Sequence, residues 1–70
     1  MELAAFLKNL SPESRKAFAK RAKTTVPYLY QLAGGHRAPS PLLARRIDQA
    51  SDGQVPKEKL RADVYGDRAA

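Results

Sequence analysis

Cysteine is absent from this 70-residue sequence, so neither a disulfide framework nor a thiolate zinc site can staple the fold. Histidine occurs once, at His36, which leaves imidazole metal sites and Cys/His or Ser/His/Asp nucleophilic arrangements without partners. No long apolar run is present: the opening MELAAFLKNL is short and carries Glu2, which argues against both a membrane span and a signal peptide. No glycine-rich phosphate loop is present either, because Gly34-Gly35 follows a helical pattern instead of preceding one. These absences predict a soluble, intracellular chain without metal or cofactor, whose fold rests on apolar packing alone. A chain this short also leaves little room for a substrate cleft and its supporting shell, so an enzyme is not expected.

Acid is scarce in one region. Between residues 11 and 46, Glu13 stands alone against Arg15, Lys16, Lys20, Arg21, Lys23, Arg37, Arg45 and Arg46, a net of +7 where the whole chain carries +6. The flanking segments are close to neutral. A positive field concentrated in so small a domain is the footprint of a polyanion partner, with nucleic acid ahead of a membrane surface. Hydrophobic residues make up 43% of the chain, enough for one small domain, although at this size only about 60% of the unfolded chain's surface is buried.

The periodicity is helical throughout. Leu3, Phe6, Leu7 and Leu10 form one stripe over residues 2 to 10. Ser11-Pro12-Glu13 starts a second helix to about Ala22, with Phe18, Ala19 and Ala22 inward. Thr25 caps a third, with Pro27 in its first turn and Leu29 and Leu32 buried, ended by Gly34-Gly35 in the left-handed conformation. Ser40-Pro41 starts a fourth, running to about Ala50 with Leu43, Ile47 and Ala50 on its apolar face, and Gly53 closes it. Val55-Pro56 is expected to be extended, residues 56 to 60 to make one turn, and residues 67 to 70 to fray. The class is all-α, four to five helices in one domain over residues 1–66.

Residues 15 to 34 read as a unit: a basic helix, a turn at Lys23-Thr24-Thr25, and a second short helix. Two helices crossing around a tight turn need small and apolar residues where they meet, and Phe18, Ala19, Ala22, Leu29 and Leu32 supply them. With FAKRAKTTVPYLYQLAGGHRAPSPLLARRIDQASDG as its core and LRADVYG as its tail, the chain resembles the lambdoid phage repressor and Cro helix-turn-helix proteins. It is most similar to the short Cro-like and YdaS-like regulators of prophages. Lys23 departs from the family's usual glycine, where a left-handed residue costs a side chain roughly 1 kcal/mol, and Thr24 stands at a place more often aliphatic.

The resemblance implies a lambda-repressor-like DNA-binding domain whose third helix lies in the major groove. Val26, Pro27, Tyr28 and Gln31 would then face base edges. Gln31 is the best reader among them, because its amide can make a bidentate contact with adenine. Phosphate contacts are assigned to Arg15, Lys16, Thr25, Tyr30, His36 and Arg37. The function implied is a transcriptional repressor, cytoplasmic in a bacterial cell or phage-infected host, holding a palindromic double-stranded DNA operator as a homodimer. Val55, Leu60, Val64 and Tyr65 offer the apolar material for pairing.

Plainer readings stand beside these. A run of lysines and arginines is often a solvated helix face, and Arg45 and Arg46 have Asp48 and Asp52 near enough to screen them. His36 reads as a loop residue, and Tyr28 and Tyr30 can cap the core with their rings. Two other functions fit the same residues: an antitoxin-like module that neutralises a partner toxin, and non-specific coating of nucleic acid.

Overall fold

Three of the helices begin in the same way, with a hydroxyl cap and a proline, and the caps are built as their chemistry dictates. The side chains of Ser11, Thr25 and Ser40 accept from the backbone N–H groups of Ser14 (3.1 Å), Tyr28 (3.2 Å) and Leu43 (3.1 Å). Pro12, Pro27 and Pro41 occupy the first turn, where a missing N–H leaves nothing unsatisfied. The computed structural model describes residues 1–66. Its elements are α1 (Leu3–Lys8), α2 (Pro12–Arg21), α3 (Val26–Ala33), α4 (Pro41–Ala50), α5 (Lys57–Leu60) and α6 (Ala62–Tyr65). Among the described residues there is no strand. The frayed tail expected at 67 to 70 lies outside them.

One apolar cluster draws on the first four helices and on Val55. Phe18 is 1% exposed, and its ring meets that of Phe6 at 4.9 Å between centroids, tilted by 59°. That separation and tilt suit the opposed charge of ring face and edge. Leu7, Ala22, Leu29 and Ile47 are fully buried in the same cluster. Removing a core phenyl ring costs about 3–5 kcal/mol, a large share of the roughly 5–15 kcal/mol that holds a folded domain together.

The apolar face of α4 differs from the expected one. Ala44, Ile47 and Ala50 are buried, while Leu43 is half-buried and packs against the margin of the core. The bulk of Leu43 is accommodated at the edge of the cluster, while the methyl of Ala44 is fully covered. A second short helix, α6, also follows α5 where only one turn was expected, the two being separated by Arg61 at φ −137°.

The link from α2 to α3 is a left-handed C-cap. Lys23 has φ 59°, the Lys23 N–H donates to the Lys20 carbonyl (3.1 Å), and the Thr24 N–H donates to the Ala19 carbonyl (2.9 Å). This is the double hydrogen bond of a Schellman motif. Gly35, at φ 79°, performs the same turn after α3 with no side chain to strain, and the His36 N–H closes it on the Gln31 carbonyl at 3.0 Å. Because a left-handed side-chain residue is strained by about 1–2 kcal/mol, while glycine adds about 0.5–1 kcal/mol of unfolded-state entropy, Lys23→Gly should stabilise the domain by roughly 0.5–1 kcal/mol. Thermal unfolding checks this: the midpoint should rise by a few degrees, and a fall would show that Lys23 carries no strain.

Candidate nucleic-acid interface

α2 and α3 form the helix-turn-helix pair. They meet through Ala19 (3% exposed) and Ala22 (0%) on one side and Leu29 (0%) and Leu32 (8%) on the other. With Leu29 and Leu32 inward, helical geometry directs positions 27, 30 and 31 outward, one turn apart on the opposite face. Pro27, Tyr30 and Gln31 are accordingly exposed, Tyr30 by 47%. The Gln31 side chain makes no hydrogen bond among the described residues, so its amide is free to meet a partner.

Val26 and Tyr28 are placed differently from expectation. Both are half-buried and pack against the core, because they sit on the flanks of α3 adjoining the Leu29 stripe. Thr25 is exposed; its oxygen accepts the Tyr28 N–H while its own proton remains available to an outside acceptor. Lys16, His36 and Arg37 are exposed as well.

Arg15 is not the free cation of a surface helix. It is half-buried, and its Nε donates to the Leu7 carbonyl at 2.7 Å, tying the start of α2 to the last turn of α1. Pro12, the Ser11 cap and Glu13 in the first turn also weaken the attraction of the α2 N-terminus for an anion. Two more arginines act as Arg15 does. Arg21 Nη2 reaches the Ala50 carbonyl (2.8 Å) at the end of α4, and Arg61 Nη1 reaches the Pro39 carbonyl (3.0 Å). Each donates to a carbonyl at a helix end or in a loop; the Leu7 carbonyl also accepts the Leu10 N–H at 3.2 Å.

Most of the remaining described cations have no acidic partner. Among the described residues the ion pairs are Lys57 with Glu58 and Arg61 with Asp63, so Lys16, Lys20, Lys23, Arg37, Arg45 and Arg46 have no acid within ion-pair distance. Asp48 forms no ion pair with Arg45 or Arg46; its carboxylate instead accepts the Lys57 N–H at the start of α5, at 2.9 Å.

The C-terminal elements hold the loop that follows α3. Arg61 forms a two-pronged pair with Asp63 (Nε to Oδ1, 2.8 Å) while donating to Pro39, and the Tyr65 hydroxyl donates to the Pro41 carbonyl at 3.1 Å. Buried Pro39 is thus gripped from outside, which fixes the path of His36 and Arg37 into α4. The hydrogen bond from Arg61 holds the Asp63 carboxyl below its usual range, reinforced by the guanidinium charge and opposed by partial desolvation. The same bond raises the Arg61 pKa.

The apolar residues assigned to pairing separate into two groups. Val55 is 1% exposed, and its N–H donates to the Ser51 hydroxyl at 3.0 Å, so it belongs to the core and offers nothing to a second copy. Leu60 is half-buried against the same core. Tyr65 is half-buried, with the Lys57 ammonium 5.4 Å from its ring centre. Val64 stays exposed (39%), as does Leu42 (46%), a residue the sequence pattern did not single out.

Among the described residues no three His, Cys, Asp or Glu side chains gather where a metal would sit, and no helix is long and apolar enough to cross a membrane. The chain is 29% identical over 63 residues to a prophage transcriptional regulatory protein of Escherichia coli (strain K12), an alignment covering 90% of this chain and 96% of that protein. No protein-family model and no solved structure matches it.

The Arg61–Asp63 pair yields a pH prediction. A carboxyl whose folded pKa lies below its unfolded value contributes its full stability above the unfolded value and loses it as pH falls through the folded one. A carbon-detected NMR titration should place the Asp63 midpoint below the ordinary value of about 3.9, and Arg61→Gln should return it there. An ordinary midpoint in the unsubstituted protein would remove the pair from the account.

Proposed function

We propose that the protein is a sequence-specific DNA-binding transcriptional regulator, a Cro-like or YdaS-like repressor that inserts α3 into the major groove of an operator. The observation that carries this reading is the outward row of Pro27, Tyr30 and Gln31 on a helix-turn-helix pair, flanked by cations without acidic partners. Gln31 reads adenine through its amide, Pro27 senses groove shape or a thymine methyl, and the exposed flanks of Val26 and Tyr28 complete the contact with bases. Lys16, Thr25, Tyr30, His36 and Arg37 fix the register on phosphates. The likeness to the prophage regulator supports the same reading.

The protein acts as a homodimer on an inverted repeat. An eight-residue α3 is about 12 Å long, which spans roughly four base pairs at about 3.4 Å each. That is too little to specify a site, so two copies on half-sites about 34 Å apart are required. Val64 and Leu42, exposed at the end of the molecule where Tyr65 meets Pro41, are the apolar groups for pairing, with the outer edges of Leu60 and Tyr65.

Selection of bound duplexes from a random library at about 150 mM salt, where screening suppresses loose electrostatic binding, tests the proposal. An inverted-repeat motif is the expected outcome. Gln31→Ala should then abolish preference at one position of each half-site, a loss of about 1–3 kcal/mol of discrimination, while affinity for unrelated DNA persists. Recovery of DNA without a motif contradicts sequence-specific regulation in favour of coating; recovery of none favours a protein partner such as a toxin. Val64→Asp should shift sedimentation toward the monomer, and an unchanged profile would place the pairing surface elsewhere.

A further inference from the structure

A pocket of about 300 Å³ opens beside the exposed face of α3, lined by Ala4, Lys8, Arg15, Tyr30 and Ala33. Three helices contribute to it. The two alanines keep it open, and the polar lining consists of an ammonium, a guanidinium and a phenol, with no carboxylate. The guanidinium is held in place: Arg15 Nε is bound to the Leu7 carbonyl at 2.7 Å, while its terminal nitrogens have no hydrogen-bond or ion-pair partner among the described residues. Among the described residues no buried side-chain nitrogen or oxygen lacks a partner, so those terminal nitrogens have solvent contact. Lys8 and Tyr30 are exposed.

This lining is the inventory of an oxyanion site. Two cations supply charge, an immobilised planar fork supplies direction, and a hydroxyl supplies a neutral donor. The charge pattern of the sequence does not point to it, because Lys8 lies in an N-terminal segment whose charge sums to zero with Glu2. It is the packing of α1 against α3 and the start of α2 that brings Lys8 to Tyr30 and Arg15.

The geometry points to a phosphate-binding pocket formed by Lys8, Arg15 and Tyr30, which clamps one backbone phosphate of the DNA as Gln31, the next residue along α3, enters the groove. This inference rests on the DNA-binding reading and adds α1 to the surface that contacts DNA. It gives Arg15 two simultaneous tasks: Nε secures α1, and the outer nitrogens meet the phosphate.

The test compares the unsubstituted protein with Lys8→Gln and Tyr30→Phe, measuring affinity for a short duplex from about 50 to 200 mM salt. Lys8 is exposed, so its replacement leaves the fold in place, which circular dichroism checks. Lys8→Gln should weaken binding to all sequences and reduce the slope of log affinity against log salt by about 0.9, the value for one lost phosphate contact. Tyr30→Phe should weaken binding with no change in slope, since a hydroxyl releases no counterion. A parallel NMR titration with inorganic phosphate against chloride at equal ionic strength follows the signals of Lys8, Tyr30 and Arg15 Nε. If the unsubstituted protein binds duplex and Lys8→Gln leaves affinity and slope unchanged, the pocket is overturned and the regulator reading stands. If no duplex binds yet phosphate shifts those signals, the DNA backbone is overturned as the source of the phosphate, and the regulator reading falls with it. If neither occurs, both are overturned.

Discussion

The close approach of α2 and α3 at Ala19 and Ala22 is the constraint on which the rest of the structure depends. Both alanines are essentially without solvent contact; Ala22 directly precedes the turn that reverses the chain and Ala19 lies one helical turn earlier. Any larger side chain there would push α3, with Leu29 and Leu32, away from α2, and overpacking of that kind costs about 1–3 kcal/mol in a well-packed core. The turn itself leaves little freedom, because Lys23 must adopt a left-handed conformation for the Thr24 N–H to reach the Ala19 carbonyl. Once α3 is seated, its outward row follows from helical periodicity alone.

Charge in this molecule has two uses that a net count does not separate. Three arginines, Arg15, Arg21 and Arg61, direct guanidinium groups at backbone carbonyls of Leu7, Ala50 and Pro39. Hydrogen bonds to a charged group contribute about 1.5–3 kcal/mol in general. A chain without disulfides or metal gains cross-links in this way, each joining segments distant in sequence or ending one helix against another. The cations left over, chiefly lysines with Arg37, Arg45 and Arg46, are the ones available to a polyanion, together with the outer nitrogens of Arg15, whose Nε alone is engaged. The positive field is therefore real, but it is carried by fewer residues than the composition suggests.

Much of this was legible from the residues. Ser11-Pro12, Thr25 with Pro27, and Ser40-Pro41 mark helix starts through local chemistry, and each cap forms with its own third helical residue, so no tertiary information is needed. Gly35 is equally local. The misplaced expectations all concern what one element does to another. Leu43 and Ala44 are neighbours on the same helix, and only the packing of α4 on the rest of the molecule decides which is buried. Val55 looks like spare apolar surface until the turn after α4 brings it into the core and Ser51 captures its N–H. Asp48 looks like a screen for the neighbouring arginines until the chain returns at Lys57 and takes its carboxylate. The outward position of Gln31 was readable because it depends only on period; the pocket at Lys8 was not, because three helices must meet to form it.

These features combine into one account: a strained but fixed turn seats α3, arginine contacts lock the surrounding helix ends and loop, and a helix face with a free glutamine is left for the proposed contact with DNA. The most direct measurement is amide chemical-shift mapping of the folded protein as a duplex is added at about 150 mM salt, where distant charges are screened. The account predicts that the largest changes fall on residues 25 to 31, with smaller ones at Lys8 and in the loop at His36 and Arg37. Changes confined to α5 and α6, with the amides of α3 unmoved, would contradict it.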